Sequence, residues 1–361
     1  MIPFVRILNY GNIAPAAKKI KKVQVANSSS VFLLYDNGEL WVRSNNSILL
    51  GGISATPPRW VLLREDVVDV WTAKNDNNVL IYTNENKWIY IGNRGLITGT
   101  NNSNATTYQD ETPNFTTFAY NDIKDIQMTS YGCIFLLTDN RSFVRGYSNY
   151  GEIGASTSSW RLQYSNVSKI YAAGNVAGWI VNNALYRGGY NGVGQLGNNT
   201  TGSGTAIAVL TGYTVVDFCT SASNSYIITT AGDAYACGSS GTLSKASDGK
   251  WYGYGKMNKF YSAGNVGNNS FGTGPILDAL YCAGNNDEFS LGTNASLPIP
   301  TSSVSSQGLP VGIKIVDVAQ MGRMGTMVVL EDDTIYYSGG QSYNTALGFP
   351  ISQKFTKLEL P

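Results

Sequence analysis

Short apolar runs recur along the chain at intervals of roughly 42 to 58 residues, each bounded by Asn, Asp, Ser or Gly. Segments starting near positions 20, 67, 123, 167, 215, 257 and 315 open with KKVQVA, VVDVWT, IKDIQM, VSKIYA, VVDFCT, MNKFYS and IVDVAQ. A second run follows in each: VFLLY, VLIYT, IFLLT, GWIVN, YIITT, GPILD and MVVLE. Then come turn residues such as Asp36-Asn37-Gly38, Asn84-Glu85-Asn86, Asp139-Asn140, Asn182-Asn183, Ala231-Gly232-Asp233 and Asp332-Asp333. A third run carries aromatic or aliphatic residues: ELWVR, KWIYI, SFVRG, ALYRG, DAYAC, ALYCA and TIYYS. Runs of four to six β-branched and aromatic residues joined by such turns predict antiparallel hairpins. Nearly continuous apolar strands predict burial on both faces, which blades stacked around an axis provide. No amphipathic stretch of useful length has the helical period, so helices should be scarce.

Seven repeats predict an all-β, seven-bladed β-propeller with four short antiparallel strands per blade. The expectation is one domain over residues 1–361. The C-terminal strand Phe355 to Leu360 and the apolar segment Phe4 to Leu8 are candidates to close the ring by completing a blade begun at the other end, which removes exposed sheet edges. Trp60, Trp160 and Trp251 precede one repeat position (Asp69, Lys169, Lys259) by eight or nine residues, so they read as packing residues on equivalent strands.

Each unit ends in a Gly-containing loop, clearest in Gly189-Tyr190-Asn191-Gly192-Val193-Gly194-Gln195-Leu196-Gly197 and echoed in Gly151-Glu152-Ile153-Gly154 and Ala346-Leu347-Gly348. The order of apolar strand, aliphatic strand, D-x-G turn, L-Y/W strand and G-Q-L-G resembles the repeat of the regulator-of-chromosome-condensation family over about residues 20–350. That resemblance implies a seven-bladed propeller. The family's histidine after the first strand is missing in every copy, its place being taken by Ser30, Asn77, Cys133, Ala177, Asn224 and Gly325. No nucleotide-exchange wedge is recognisable, so the resemblance does not carry exchange activity with it.

Composition narrows the chemistry. Hydrophobic residues make up 43% of the 361, charged residues 14%, and the net charge is +1. Electrostatic attraction to nucleic acid or an anionic membrane is therefore not expected. The absence of histidine excludes His-based triads, proton shuttles and metal sites. Cys133, Cys219, Cys237 and Cys282 form no C-x-x-C pair and read as buried free thiols. Neither a secretory leader nor an apolar run of about 18 residues is visible, so no membrane insertion is expected. Asp110-Glu111, Asp287-Glu288 and Glu331-Asp332-Asp333 are the carboxylate clusters considered for acid/base work, and Asp332-Asp333 sits at a turn. A propeller glycoside hydrolase would need two carboxylates that nothing singles out. No cofactor motif is present.

These features predict a non-enzymatic binding module. Its neutral surface, rich in Asn, Ser, Thr and Tyr, is similar in composition to propellers of bacteriophage tail fibres. That likeness implies a virion or extracellular protein whose partner is a host cell-surface glycan or protein, or another virion component. The alternative is a cytoplasmic interaction scaffold or an exchange factor for a small GTPase. Candidate contacts lie on segments longer than the repeat requires. These are Tyr108, Phe115, Phe118 and Tyr120 within Thr100–Asn121, Phe271 within Val266–Pro275, and Trp251, Tyr252 and Tyr254.

Overall fold

The computed structural model describes residues 18–26, 30–53, 58–74, 76–101, 104–202, 204–210, 212–221, 223–239, 249–263, 270–273, 280–283, 292, 308–321, 325–340, 347–349 and 351–361. It is an all-β, seven-bladed propeller. Every blade is an antiparallel sheet whose strands follow chain order from the axis outward. The seven inner strands are Ile20–Ala26, Val67–Thr72, Ile123–Met128, Val167–Ala173, Val215–Thr220, Lys259–Ala263 and Ile315–Gln320. Among the described residues six blades show four strands and blade 6 shows three.

The turn chemistry explains the hairpins between second and third strands. Gly38, Asn86, Asn140, Asn183, Gly232 and Asp333 all adopt positive φ at those turns. Gly pays no Cβ penalty there, and Asn and Asp tolerate the left-handed region best among other residues. The second strands Ser30–Tyr35, Gly132–Leu137, Val176–Val181, Asn224–Thr229 and Gly325–Leu330 are buried at every position. They lie between two neighbouring strands with a blade against each face. The core is therefore divided into clusters shared by adjacent blades. Blades 7 and 1, for example, share Val23, Val25 and Leu33 with Met327, Val329 and Tyr337.

Three expectations need correction. The second strand of blade 6 is Ser270–Thr273, which pairs with Lys259–Ala263 and Leu280–Ala283, while the GPILD segment lies outside the described residues. Strand pairing places Asn78, Gly132 and Val176 opposite Gly92, Gly146 and Gly189, beside the pairs Ser30–Ser44, Asn224–Gly238 and Gly325–Gly339. The column missing its histidine thus runs through those residues rather than Asn77, Cys133 and Ala177. Finally, the C-terminal strand Ser352–Lys357 forms the outer edge of blade 7, whose other strands come from the same repeat. No blade is shared by the two termini among the described residues, and Phe4 to Leu8 lie outside them. Instead Arg43 donates from Nε to Leu347 O (2.5 Å) and from Nη2 to Gly348 O (2.7 Å), and Trp60 packs edge-on against Phe349.

Candidate functional site

The loops joining third to fourth strands, together with those joining first to second, form one face of the propeller. Their backbones are braced by buried polar side chains. In blade 4 the Gln195 amide oxygen accepts from Val193 N (3.1 Å), and Asn191 Oδ1 accepts from Leu196 N (2.9 Å). In blade 3 the Glu152 carboxylate accepts from Tyr150 N (2.9 Å), and Ser148 Oγ accepts from Ile153 N (3.2 Å). Glu152 and Gln195 are both fully buried, and burial raises the affinity of Glu152 for its proton. These conserved-looking letters within the repeat hold loop shape; they do not face a ligand.

Among the described residues these loops also contact the following blade. Trp60, Trp160 and Trp251 occupy one position, each immediately before the residue that pairs with Val42, Val144 or Ala236. Trp251 Nε1 donates to Gly197 O (2.9 Å) of blade 4, and Trp160 Nε1 donates to Asn114 O (3.1 Å) in the blade 2 segment. The packing role expected for the tryptophans agrees with these contacts. Arg43, Arg145 and Cys237 share another position. Arg145 donates to Ile97 O (2.9 Å) and Asn114 Oδ1 (2.7 Å), and Cys237 Sγ lies 3.5 Å from Gln195 O. Gln195 O also accepts from Arg187 Nη1 (2.5 Å) and Ser225 Oγ (2.7 Å). All four cysteines are buried and form no disulfide with one another, and burial pushes Cys219 and Cys237 up to about 12.

The expected contact aromatics are mostly drawn into this packing. Thr100–Asn121 is not an open recognition loop. It contains the outer strand Gln109–Asp110 of blade 2, a helical turn Thr112–Phe115 and a 3-10 turn Tyr120–Asp122. Phe115 is 0% exposed and stacks on both Trp88 and Phe135, so it offers nothing to a ligand. Tyr108 donates to Leu49 O (3.1 Å), and its burial raises its proton affinity well above that of an ordinary tyrosine. A period-based reading cannot see that an extra aromatic segment fills the gap between two blades. Phe118 and Tyr120 are half-buried and line a cleft of about 630 Å³ with Tyr82 and Trp88, on the opposite face. Tyr120 stacks on Tyr82 at 4.2 Å and donates to Asp69 Oδ2 (3.4 Å). Trp251 is held at Gly197, and Tyr252 is half-buried on the outer strand of blade 5. Phe271 and Tyr254 lie on strands, and their side chains are outside the described residues. Of the acidic pairs, Glu111 is ion-paired with Arg94 and Asp332 caps its turn through Thr334 N (3.1 Å), while Asp287-Glu288 lies outside the described residues.

Four other tyrosines cluster on the loop face. Tyr131 and Tyr147 meet edge to face at 5.7 Å, and Tyr150 and Tyr190 at 5.3 Å. Tyr147 and Tyr150 stand three residues apart on the same blade 3 loop, so that loop carries one member of each pair. Tyr190 is 37% exposed and the other three are half-buried. Sequence reading passed over them because they sit inside the repeat loops rather than in extra segments.

One charged residue from each inner strand, the third in six of them and the first in Lys259–Ala263, forms a ring around the axis: Lys22, Asp69, Asp125, Lys169, Asp217, Lys259 and Asp317. Lys22 pairs with Asp69 at 2.8 Å, and Lys169 pairs with Asp217. Asp217 Oδ2 further accepts from Phe260 N (3.0 Å) of the next blade. Signs alternate except between Asp69 and Asp125, since an odd ring cannot alternate throughout. Asp125 and Asp317 are held less acidic than ordinary aspartates, first by burial. The ring and the strand residues above it enclose a channel of about 450 Å³ that also contains Lys74. With Lys74, four lysines face four aspartates. This pattern stood in the third letter of six of the opening strings and in the second letter of KKVQVA.

No protein-family model matches the chain, and no curated protein matches it in sequence. Solved structures do. Prp20p from Saccharomyces cerevisiae superposes with a TM-score of 0.50 at 15% identity, covering 94% of this chain and 76% of that one. Human WBSCR16 gives 0.51 at 13%, covering 95% and 83%. Kluyveromyces lactis Hsv2 gives 0.51 at 6%, covering 95% and 98%. At such identities the similarity shows the propeller fold, with regulator-of-chromosome-condensation-like structures among its neighbours.

Proposed function

We propose that this chain is a non-catalytic binding propeller that engages a protein partner through the loop face of blades 3 and 4. The observation that carries the proposal is the tyrosine cluster Tyr131, Tyr147, Tyr150 and Tyr190, mounted on loops whose backbones are braced from within by Gln195, Asn191 and Glu152. Tyrosine brings large contact area at little entropic cost and keeps a polar tip, which is why it is enriched at interfaces. Rigid loops spare the complex the cost of ordering them on binding. The likeness in fold agrees with this reading, since Prp20p is described as binding Gsp1p and histones, and also in complex with Kap60. An intracellular scaffold or an exchange factor for a small GTPase is the form this function takes in that setting.

A second reading keeps the surface and changes the partner to a host-cell glycan, with the chain in a virion or at an extracellular surface. The half-buried tyrosine rings favour it, because sugar rings stack on such faces. Binding measured against candidate proteins, including a small GTPase loaded with fluorescent nucleotide, and in parallel against a glycan array separates the two. The double variant Tyr150→Ala/Tyr190→Ala should weaken the true partner at least tenfold, the loss of one interface hot spot. Unchanged affinity of that variant removes this face from the function.

A further inference from the structure

Lys74 leaves the first strand of blade 2 and reaches into the central channel. There its ammonium donates to the Tyr171 hydroxyl of blade 4 and lies 3.9 Å from the centre of that ring. It feels Asp125 of blade 3, Cys219 of blade 5 and Asp317 of blade 7, so the amine sits close to the axis. No carboxylate lies within ion-pair distance of it among the described residues, whereas the ring lysines Lys22 and Lys169 are both paired. Among the described residues its one hydrogen-bond partner is that tyrosine hydroxyl. The surrounding channel of about 450 Å³ is lined by Gln24, Trp71, Gln127 and Tyr261 as well as the charged ring. Enclosure lowers Lys74 to about 8, with burial the main cause and the electrostatic influence of Cys219, Asp317 and Asp125 acting the other way. An amine held that way is a nucleophile near neutral pH, as desolvated lysines generally are.

We propose that Lys74 is a modification site, a reactive amine that captures small aldehydes as imines inside the central channel. The nitrogen lone pair adds to the carbonyl carbon and the carbonyl π pair moves to oxygen. The carbinolamine then loses water, so one amine and one aldehyde give one imine and one water. Both N–H protons leave with the oxygen, and the Tyr171 hydroxyl, already bonded to Nζ, relays them. Nothing is oxidised or reduced. The space beside the amine selects carbonyl compounds of a few heavy atoms.

The test is reductive trapping of the folded chain with propionaldehyde and cyanoborohydride at pH 7, followed by peptide mapping. At that pH a lysine titrating near 8 carries a few hundredfold more neutral amine than an ordinary one. Lys74 should therefore be alkylated at least tenfold faster than the exposed Lys124 and Lys354. The advantage should vanish in denaturant, and Lys74→Arg should lose the fast adduct while keeping the slow ones. Alkylation of Lys74 no faster than the exposed lysines overturns the proposal. So does an advantage that survives unfolding, because it would then belong to local sequence and not to the channel.

Discussion

The rim and the axis of this propeller hold neighbouring blades together by different physics. At the rim, among the described residues, loops are seated on the next blade by large rings and by hydrogen bonds to backbone carbonyls, as with Trp251 on Gly197 and Arg43 on Leu347 and Gly348. At the axis the contact is a ring of lysines and aspartates whose ion pairs are partly open to the channel. Rim contacts combine apolar burial with satisfied carbonyls, so each should contribute kilocalories. Partly exposed ion pairs contribute little net stability, since Coulomb gain is offset by desolvation and side-chain entropy. The difference predicts that stability resides at the rim while the axis sets pH sensitivity.

Removing residues 354–361 is the most severe rim lesion. It takes away Phe355, which is buried against blades 6 and 7, and Leu358, which is buried where blade 7 meets blade 1. It also bares the third strand of blade 7 as an unpaired edge. The melting temperature should drop by on the order of 10 °C. An unchanged melt would show that the outer strand contributes nothing to closure.

Single substitutions sharpen the contrast. Gly197 has φ +68°, and a Cβ there would lie 2.2 Å from Trp251 Nε1. Gly197→Ala therefore both strains the backbone and displaces the tryptophan, and should cost about 2–4 kcal/mol in urea unfolding, in the range of large core lesions. Trp251→Phe keeps most of the packing and loses one hydrogen bond, a cost of about 1 kcal/mol. Trp60→Phe should cost clearly less, because the buried Trp60 Nε1 makes no hydrogen bond and its removal relieves an unsatisfied donor. Equal losses for the two tryptophans would mean that packing alone runs the latch.

Much of the rim was legible in the chain, and the reason is periodicity. Trp60, Trp160 and Trp251 recur in phase, and the Asn, Asp and Gly turns recur where positive φ is required, so geometry leaves the same letters each time. Function at the same position hides when the chemistry changes, as with Arg43, Arg145 and Cys237, which share one place with three different neighbours. The charged ring was visible letter by letter but was masked by the apolar residues on either side of it. The aromatic content of Thr100–Asn121 pointed outward in sequence terms, yet Phe115 fills the space between blades 2 and 3. An insertion rich in aromatics has no period to say whether it faces solvent or core. The tyrosine cluster escaped for the converse reason, since Tyr147, Tyr150 and Tyr190 sit in ordinary repeat loops and only the fold brings them together with Tyr131.

The axis offers the smallest effect and the opposite sign. Lys74 binds its proton more weakly in the folded chain, at about 8, than in the unfolded chain, where an ordinary lysine value near 10.4 applies. Between those values the unfolded state holds more protons, so this residue's contribution to stability rises with pH across that window. Below about 8 both states are protonated and the full penalty of the enclosed charge is present. Lys74→Met should therefore raise the melting temperature by a few degrees at pH 7, of the size expected for about 1 kcal/mol. That gain should shrink towards pH 10, where the wild-type amine is already neutral. The groups facing it, Asp125, Asp317, Cys219 and Tyr171, are common to both proteins, so the difference between the two melting curves isolates the lysine. A gain that stayed constant from pH 7 to 10 would mean that methionine acts by packing, and the axis would then differ from the rim in residue type but not in physics.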